Sequence, residues 1–221
     1  MKKRNIMIGS AVVLAVLLVV GTMAWFTDSE EVTNTFTAGT VDIELHDKDV
    51  EGDDFVDKVN VNPGDEYDKM VYVENIGSKC AYVRVKLTPE FENLNEEYED
   101  ELPEDIFSVV EWGVENGDGE LVISDEWIRG EEDEEDDGIW YYYEDCICPG
   151  EDAETTNLIE KIRFKGSEMT NAYQGATFRL KVEADAVQAS HEAYEDVWTD
   201  MPDDVVLNPC TPPDGGEMPA R

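Results

Sequence analysis

Bases are scarce in this chain. It carries 16 Lys and Arg against 54 Asp and Glu, a formal net charge of −38 at pH 7. A field of that sign repels nucleic acid and anionic membrane faces, and it attracts cations and basic partners. Nucleic-acid binding is excluded on this ground. Histidine is scarcer still, with His46 and His191 alone. Neither stands in H-E-x-x-H, and each reads as a solvated surface residue. No G-x-S-x-G elbow, Walker loop or dinucleotide-binding glycine pattern is present. The chain is therefore read as no enzyme, with no catalytic residue, no metal ligand set and no cofactor.

Long apolar runs are also lacking, apart from residues 6–20. That run follows Lys2-Lys3-Arg4 and precedes the small-residue site Thr22-Met23-Ala24, the layout a signal peptidase reads. It is short of the ~20 residues needed to cross a bilayer. Residues 1–24 are expected to be a signal peptide, cut between Ala24 and Trp25. The remainder is expected to be exported, with no membrane span after cleavage. Residues 1–24 hold three bases and no acids, so cleavage leaves a still more acidic protein.

Four cysteines follow the signal: Cys80, Cys146, Cys148 and Cys210. An even count in an exported chain reads as two disulfides. Cys146 and Cys148 are two apart on one strand face, so each is expected to reach another partner. Cys80 and Cys210 are then their mates, in either order. A zinc site would ask for C-x₂-C spacing, which is absent.

Enough aliphatic and aromatic residues remain for a folded core. Val41, Ile43 and Leu45 alternate with acids, as in a half-buried strand. Residues 56–61, 67–75 and 81–87 read as further strands, with Asn62-Pro63-Gly64-Asp65 as a turn and Pro89 closing the third run. Residues 90–106 are acidic with sparse apolar positions and read as loosely helical. Residues 107–114 and 119–127 flank a hairpin turn at Asn116-Gly117-Asp118-Gly119. Residues 130–137 are nearly all acid and read as a solvated loop. Strands are expected at 139–143, 158–164 and 177–184. Many short strands with regular turns define an all-β antiparallel sandwich with acidic loop insertions and a short helix. The domain is expected to span 25–190, and 191–221 to be an acidic, Pro-rich tail, loose except for a tether through Cys210.

Two patterns imitate function. Asp133, Glu135, Asp137, Gly138 and Glu144 fall at EF-hand positions, but position 3 is Glu and a strand follows where a helix should begin. Asp47, Asp49, Glu51 and Gly52 have Lys58 where the bidentate Glu belongs. Weak Ca²⁺ binding at several carboxylates is compatible with the charge without either loop. Residues 140–143, Trp-Tyr-Tyr-Tyr, read as a sheet strand rather than a sugar platform. Trp112, Trp127 and Trp198 likewise read as core or sheet residues.

Four stretches resemble the TasA/camelysin family of exported Gram-positive proteins. Gly21-Thr22-Met23-Ala24-Trp25-Phe26-Thr27-Asp28 resembles its cleavage junction. Asn34-Thr35-Phe36-Thr37-Ala38-Gly39-Thr40-Val41-Asp42-Ile43 resembles its first-strand signature. The run from Val61-Asn62-Pro63-Gly64-Asp65 to Val73-Glu74-Asn75-Ile76-Gly77-Ser78 resembles its turn, strand and turn. Asn171-Ala172-Tyr173-Gln174-Gly175 and Phe178-Arg179-Leu180-Lys181-Val182-Glu183-Ala184 resemble its last strand. The resemblance implies a jelly-roll-like sandwich, secreted to the extracellular matrix or cell surface and processed by a dedicated signal peptidase. It implies self-association into head-to-tail biofilm-matrix fibres by donor-strand exchange, with accessory matrix proteins as further partners. Residues 25–36 are the candidate donor strand, with Phe26, Val32 and Phe36 as pocket-fillers. The alternative is a monomeric acidic surface domain, its strand folded back on itself, that binds cations or acts as an adhesin. The metalloprotease label of the camelysin branch finds no zinc ligand set here. Four cysteines, an acidic insert and the extreme charge depart from the family pattern.

Overall fold

A computed structural model describes residues 27–31, 41–103, 106–132 and 138–211. The fold is all-β, in two antiparallel sheets facing one another. In chain order the strands are β1 (Thr27–Glu31), β2 (Ile43–Lys48), β3 (Lys58–Val59), β4 (Glu66–Asn75), β5 (Ala81–Glu92) and β6 (Val110–Glu115). They continue with β7 (Leu121–Val122), β8 (Trp127–Glu132), β9 (Ile139–Tyr143), β10 (Ile159–Phe164) and β11 (Thr177–Gln188). The first sheet runs β1-β11-β5-β9-β8, with β3 also on β11; the second runs β2-β4-β10-β6-β7.

The core forms where period-two patterns meet. On β4, Lys69, Val71, Val73 and Asn75 point inward while their neighbours are half-buried or exposed. On β5, Val83, Val85 and Leu87 are fully buried, and from β10 and β11 Ile159, Ile162, Phe164 and Phe178 meet them. Burying each such side chain is worth about 1.5–3 kcal/mol. Rings close one end: Phe164 and Phe178 lie edge to face at 4.9 Å, and Phe91 packs on Phe178 at 5.0 Å. Trp112 and Trp127 are buried in the same core, as expected of sheet residues.

Turn chemistry acts where it was expected. In the turn before β4, Gly64 has φ +85°, and Asp65 Oδ2 accepts from the Asn62 N–H at 2.9 Å and from Asn62 Nδ2 at 3.0 Å. These donors hold the Asp65 carboxyl below the usual carboxylate range.

Three expectations need correction. Pro89 does not end its strand, because β5 continues to Glu92 in register with β11. β9 reaches only Leu87, so among the described residues that side of β5 is an edge beyond it, where a residue without an N–H is tolerated. Residues 90–106 are helical only in part, with the end of β5 first and then a 3₁₀-helical stretch at Glu96–Glu101, kinked at Tyr98; an α-helix, α1, is Tyr194–Val197. The acidic tail is not loose up to residue 211. Trp198 is 2% exposed, and Val205 and Leu207 are each 6%. Three apolar side chains outweigh the acidic composition around them.

Candidate functional site

The first sheet carries both ends of the described chain, attached in different ways. β11 binds β5 over its whole length, from Thr177 opposite Glu92 to Gln188 opposite Ala81. Its other edge is taken in pieces. β3 covers Thr177 and Phe178, and β1 covers Glu183 to Val187, from Thr27 opposite Val187 to Glu31 opposite Glu183.

β1 reads Thr-Asp-Ser-Glu-Glu and contains no apolar residue. Its ladder to β11 sets Glu31 against Glu183 and Ser29 against Asp185. Glu31 and Glu183 are the one acid pair set opposite in this ladder, and like charges so placed weaken a strand pair. What holds β1 is therefore main-chain hydrogen bonding, each bond worth about 1 kcal/mol net. Of the expected site residues, Ala24, Trp25, Phe26, Val32 and Phe36 lie outside the described residues.

The C-terminal segment crosses the outer face of the same sheet as a strap. Trp198 donates from Nε1 to Asp185 Oδ2 at 2.9 Å. The Arg84 guanidinium lies 4.0 Å over the Trp140 ring and 5.0 Å from that of Trp198. It also donates to both Asp200 oxygens, at 2.8 and 2.9 Å, and to Asp185 at 3.2 Å. Burial pushes the Asp185 carboxyl up, and the Arg84 charge opposes that rise. Tyr82 donates to the Asn208 carbonyl at 2.8 Å and accepts from the Cys210 N–H at 3.1 Å. Burial pushes its phenol up to about 12.

Disulfides join Cys80 to Cys148 and Cys146 to Cys210. The second anchors the strap across 64 residues of sequence. Two cysteines two residues apart therefore reach in different directions, one to the turn before β5 and one to the strap. The strap also explains why β5 and β9 are buried on both faces. Tyr82, Arg84 and Tyr142 would face water without it, and each is under 9% exposed with it.

A groove of about 900 Å³ lies beside the β6–β7 hairpin, with Glu115, Glu126, Asp152, Glu154 and Glu160 among its lining. Asp133, Glu135 and Asp137 of the first EF-hand imitation lie outside the described residues. In the second, Asp49 Oδ1 accepts from the Glu51 and Asp53 N–H groups, at 2.9 and 3.1 Å, while Asp47 pairs with Lys69. His46 is half-buried rather than solvated. It stacks on Tyr72 with ring centroids 4.5 Å apart and is hydrogen-bonded to Glu74 at 3.2 Å.

Two antiparallel sheets, a polar strand at one edge and a disulfide-anchored strap across one face define an all-β sandwich protein. The family model for camelysin metallo-endopeptidases matches residues 1–193, and the chain belongs to that family. No curated protein and no solved structure matches it. The matched stretch stops before Trp198 and Cys210, so most of the strap lies beyond it.

The family description implies a metal, and the described residues do not fit one. Among the described residues, the single group of three His, Cys, Asp or Glu donors within 4.8 Å of one another is Cys80, Cys148 and Cys210. All three sulfurs are in disulfides, so none is the thiolate that zinc takes. His46 is committed to Tyr72 and Glu74, and His191 lies exposed on the strap side.

Proposed function

We propose that this chain is an exported, non-enzymatic structural protein whose copies assemble head to tail into matrix or surface fibres. Each copy lends its N-terminal strand to the β11 edge of the next. The observation that carries the reading is the way β1 is held: an edge strand with no apolar residue, opposed by acids, on a strand whose other edge is paired throughout. Replacing β1 by the same segment of another copy keeps every main-chain hydrogen bond, so exchange costs little at the edge itself. A strand passed on in this way makes a contact that does not close, and an open contact repeats into a filament.

The net charge of −38 opposes that assembly through repulsion between subunits. Screening shortens its range to about 10 Å at 0.1 M salt, so fibres should lengthen as ionic strength rises. Electron microscopy of protein beginning at Trp25, at low and high salt, tests the reading. Fibres are expected at high salt and none after deletion of residues 25–35. Fibres that persist in the deletion variant contradict strand donation.

The carboxylate-lined groove favours a second reading, a monomeric surface domain that binds cations. Millimolar Ca²⁺ would then raise the melting temperature of a protein that forms no fibres. An unchanged melting temperature removes it.

A further inference from the structure

One charged pair stands where the sequence pattern calls for apolar residues. Lys69 belongs to the inward row of β4 with Val71 and Val73, and its side chain is fully buried. Asp47, on the inward row of β2 with Ile43 and Leu45, is its hydrogen-bond and ion-pair partner. Asp47 lies opposite Val71, so Lys69 approaches it on the diagonal, a distance long side chains span. The Phe55 ring covers the amine, 4.0 Å from Nζ. Asp47, on the open side of the pair, borders a cleft of about 510 Å³ lined also by Phe55, Leu180 and Val182.

We propose that Lys69 and Asp47 condense into an amide, an intramolecular cross-link joining β4 to β2 without an enzyme. The Nζ lone pair of the neutral amine attacks Cγ of the protonated carboxyl, and a C–N bond forms. The C–O bond to the hydroxyl breaks, and an amine proton leaves with that hydroxyl as water into the cleft. Nothing is oxidised or reduced, and no co-reactant is needed.

Three features favour the step. Contact between the groups supplies the proximity that intermolecular condensation lacks. Burial pushes the Lys69 amine down and the Asp47 carboxyl up, toward the two neutral forms that react. Desolvation penalises the charged forms of a fully buried Lys69 and a part-buried Asp47, and their amide carries no charge. Lys48 and Asp54 form an exposed ion pair beside this site, and Asp57 is held by Arg179 at 3.0 Å. The cross-link stands independently of fibre assembly.

Mass spectrometry of the reduced, denatured full chain, with its N-terminus sequenced, tests it. The expected mass is one water below that of the sequence, with trypsin blocked after Lys69. The missing water should map to a branched peptide containing Asp47 and Lys69. Lys69→Arg should restore the full mass, and Asp47→Ala likewise. Wild-type protein at full mass with cleavage after Lys69 overturns the proposal. A lost water that persists in Lys69→Arg overturns it equally. The wild-type readout does not require either variant to fold.

Discussion

The two ends of the described chain lie on one sheet and are held by opposite means. β1 adds to the β11 edge through main-chain hydrogen bonds, carries no apolar side chain and meets acids on its partner. The strap contributes Trp198, Val205 and Leu207 to an apolar cluster with Tyr82, Tyr142 and Val187, and a disulfide closes it. Main-chain pairing is indifferent to which copy supplies the strand. Side-chain packing and a covalent bond are not. The difference makes β1, and not the strap, the segment that the proposed exchange between copies would use.

The largest effect should come from the strap's anchor. Trp198→Ala removes a ring packed on Tyr142 at 5.9 Å together with its bond to Asp185. A loss of about 3–5 kcal/mol is expected in chemical denaturation. Replacing Cys146 and Cys210 together by serine frees a link spanning 64 residues, and about 2–4 kcal/mol should go with it. Deletion of residues 25–35 should cost less than about 1 kcal/mol, since ordering each residue costs about 1–2 kcal/mol and nearly offsets its hydrogen bonds. If the deletion destabilises as much as Trp198→Ala, the contrast between the two ends fails. The smallest effect concerns pH. Asp65 has a carboxyl held below its ordinary range, so its contribution is present above the unfolded value and lost as pH falls through the folded one. Asp65→Asn should flatten the acid limb of a stability–pH curve slightly and leave neutral pH nearly untouched.

Much of the sandwich was legible because alternation is local. Val71 and Val73, or Val83, Val85 and Leu87, announce a buried face within a few residues. The strap was hidden because its apolar residues follow no period and stand among acids and prolines. Trp198, read as a core or sheet residue, and Cys210, read as a tether, were its available signal; Val205 and Leu207 gave none. β1 has no strand pattern, since what places it is the main chain of β11, 150 residues later in sequence at the least. Lys69 was readable in principle: it shares the parity of Val71 and Val73, and a lysine in an inward row asks for a partner. Which carboxylate among 54 Asp and Glu would answer it depended on the register of β2 against β4.

Strand exchange is tested most directly by trapping it. Glu31→Cys is made in one preparation and Glu183→Cys in another, and the two are mixed under assembling conditions and oxidised. These positions are directly opposite across the β1–β11 ladder. Exchange between copies should give a covalent dimer of one variant with the other on a non-reducing gel. Absence of that dimer, while a chain carrying both cysteines closes on itself, would contradict exchange and leave β1 as a strand of its own domain.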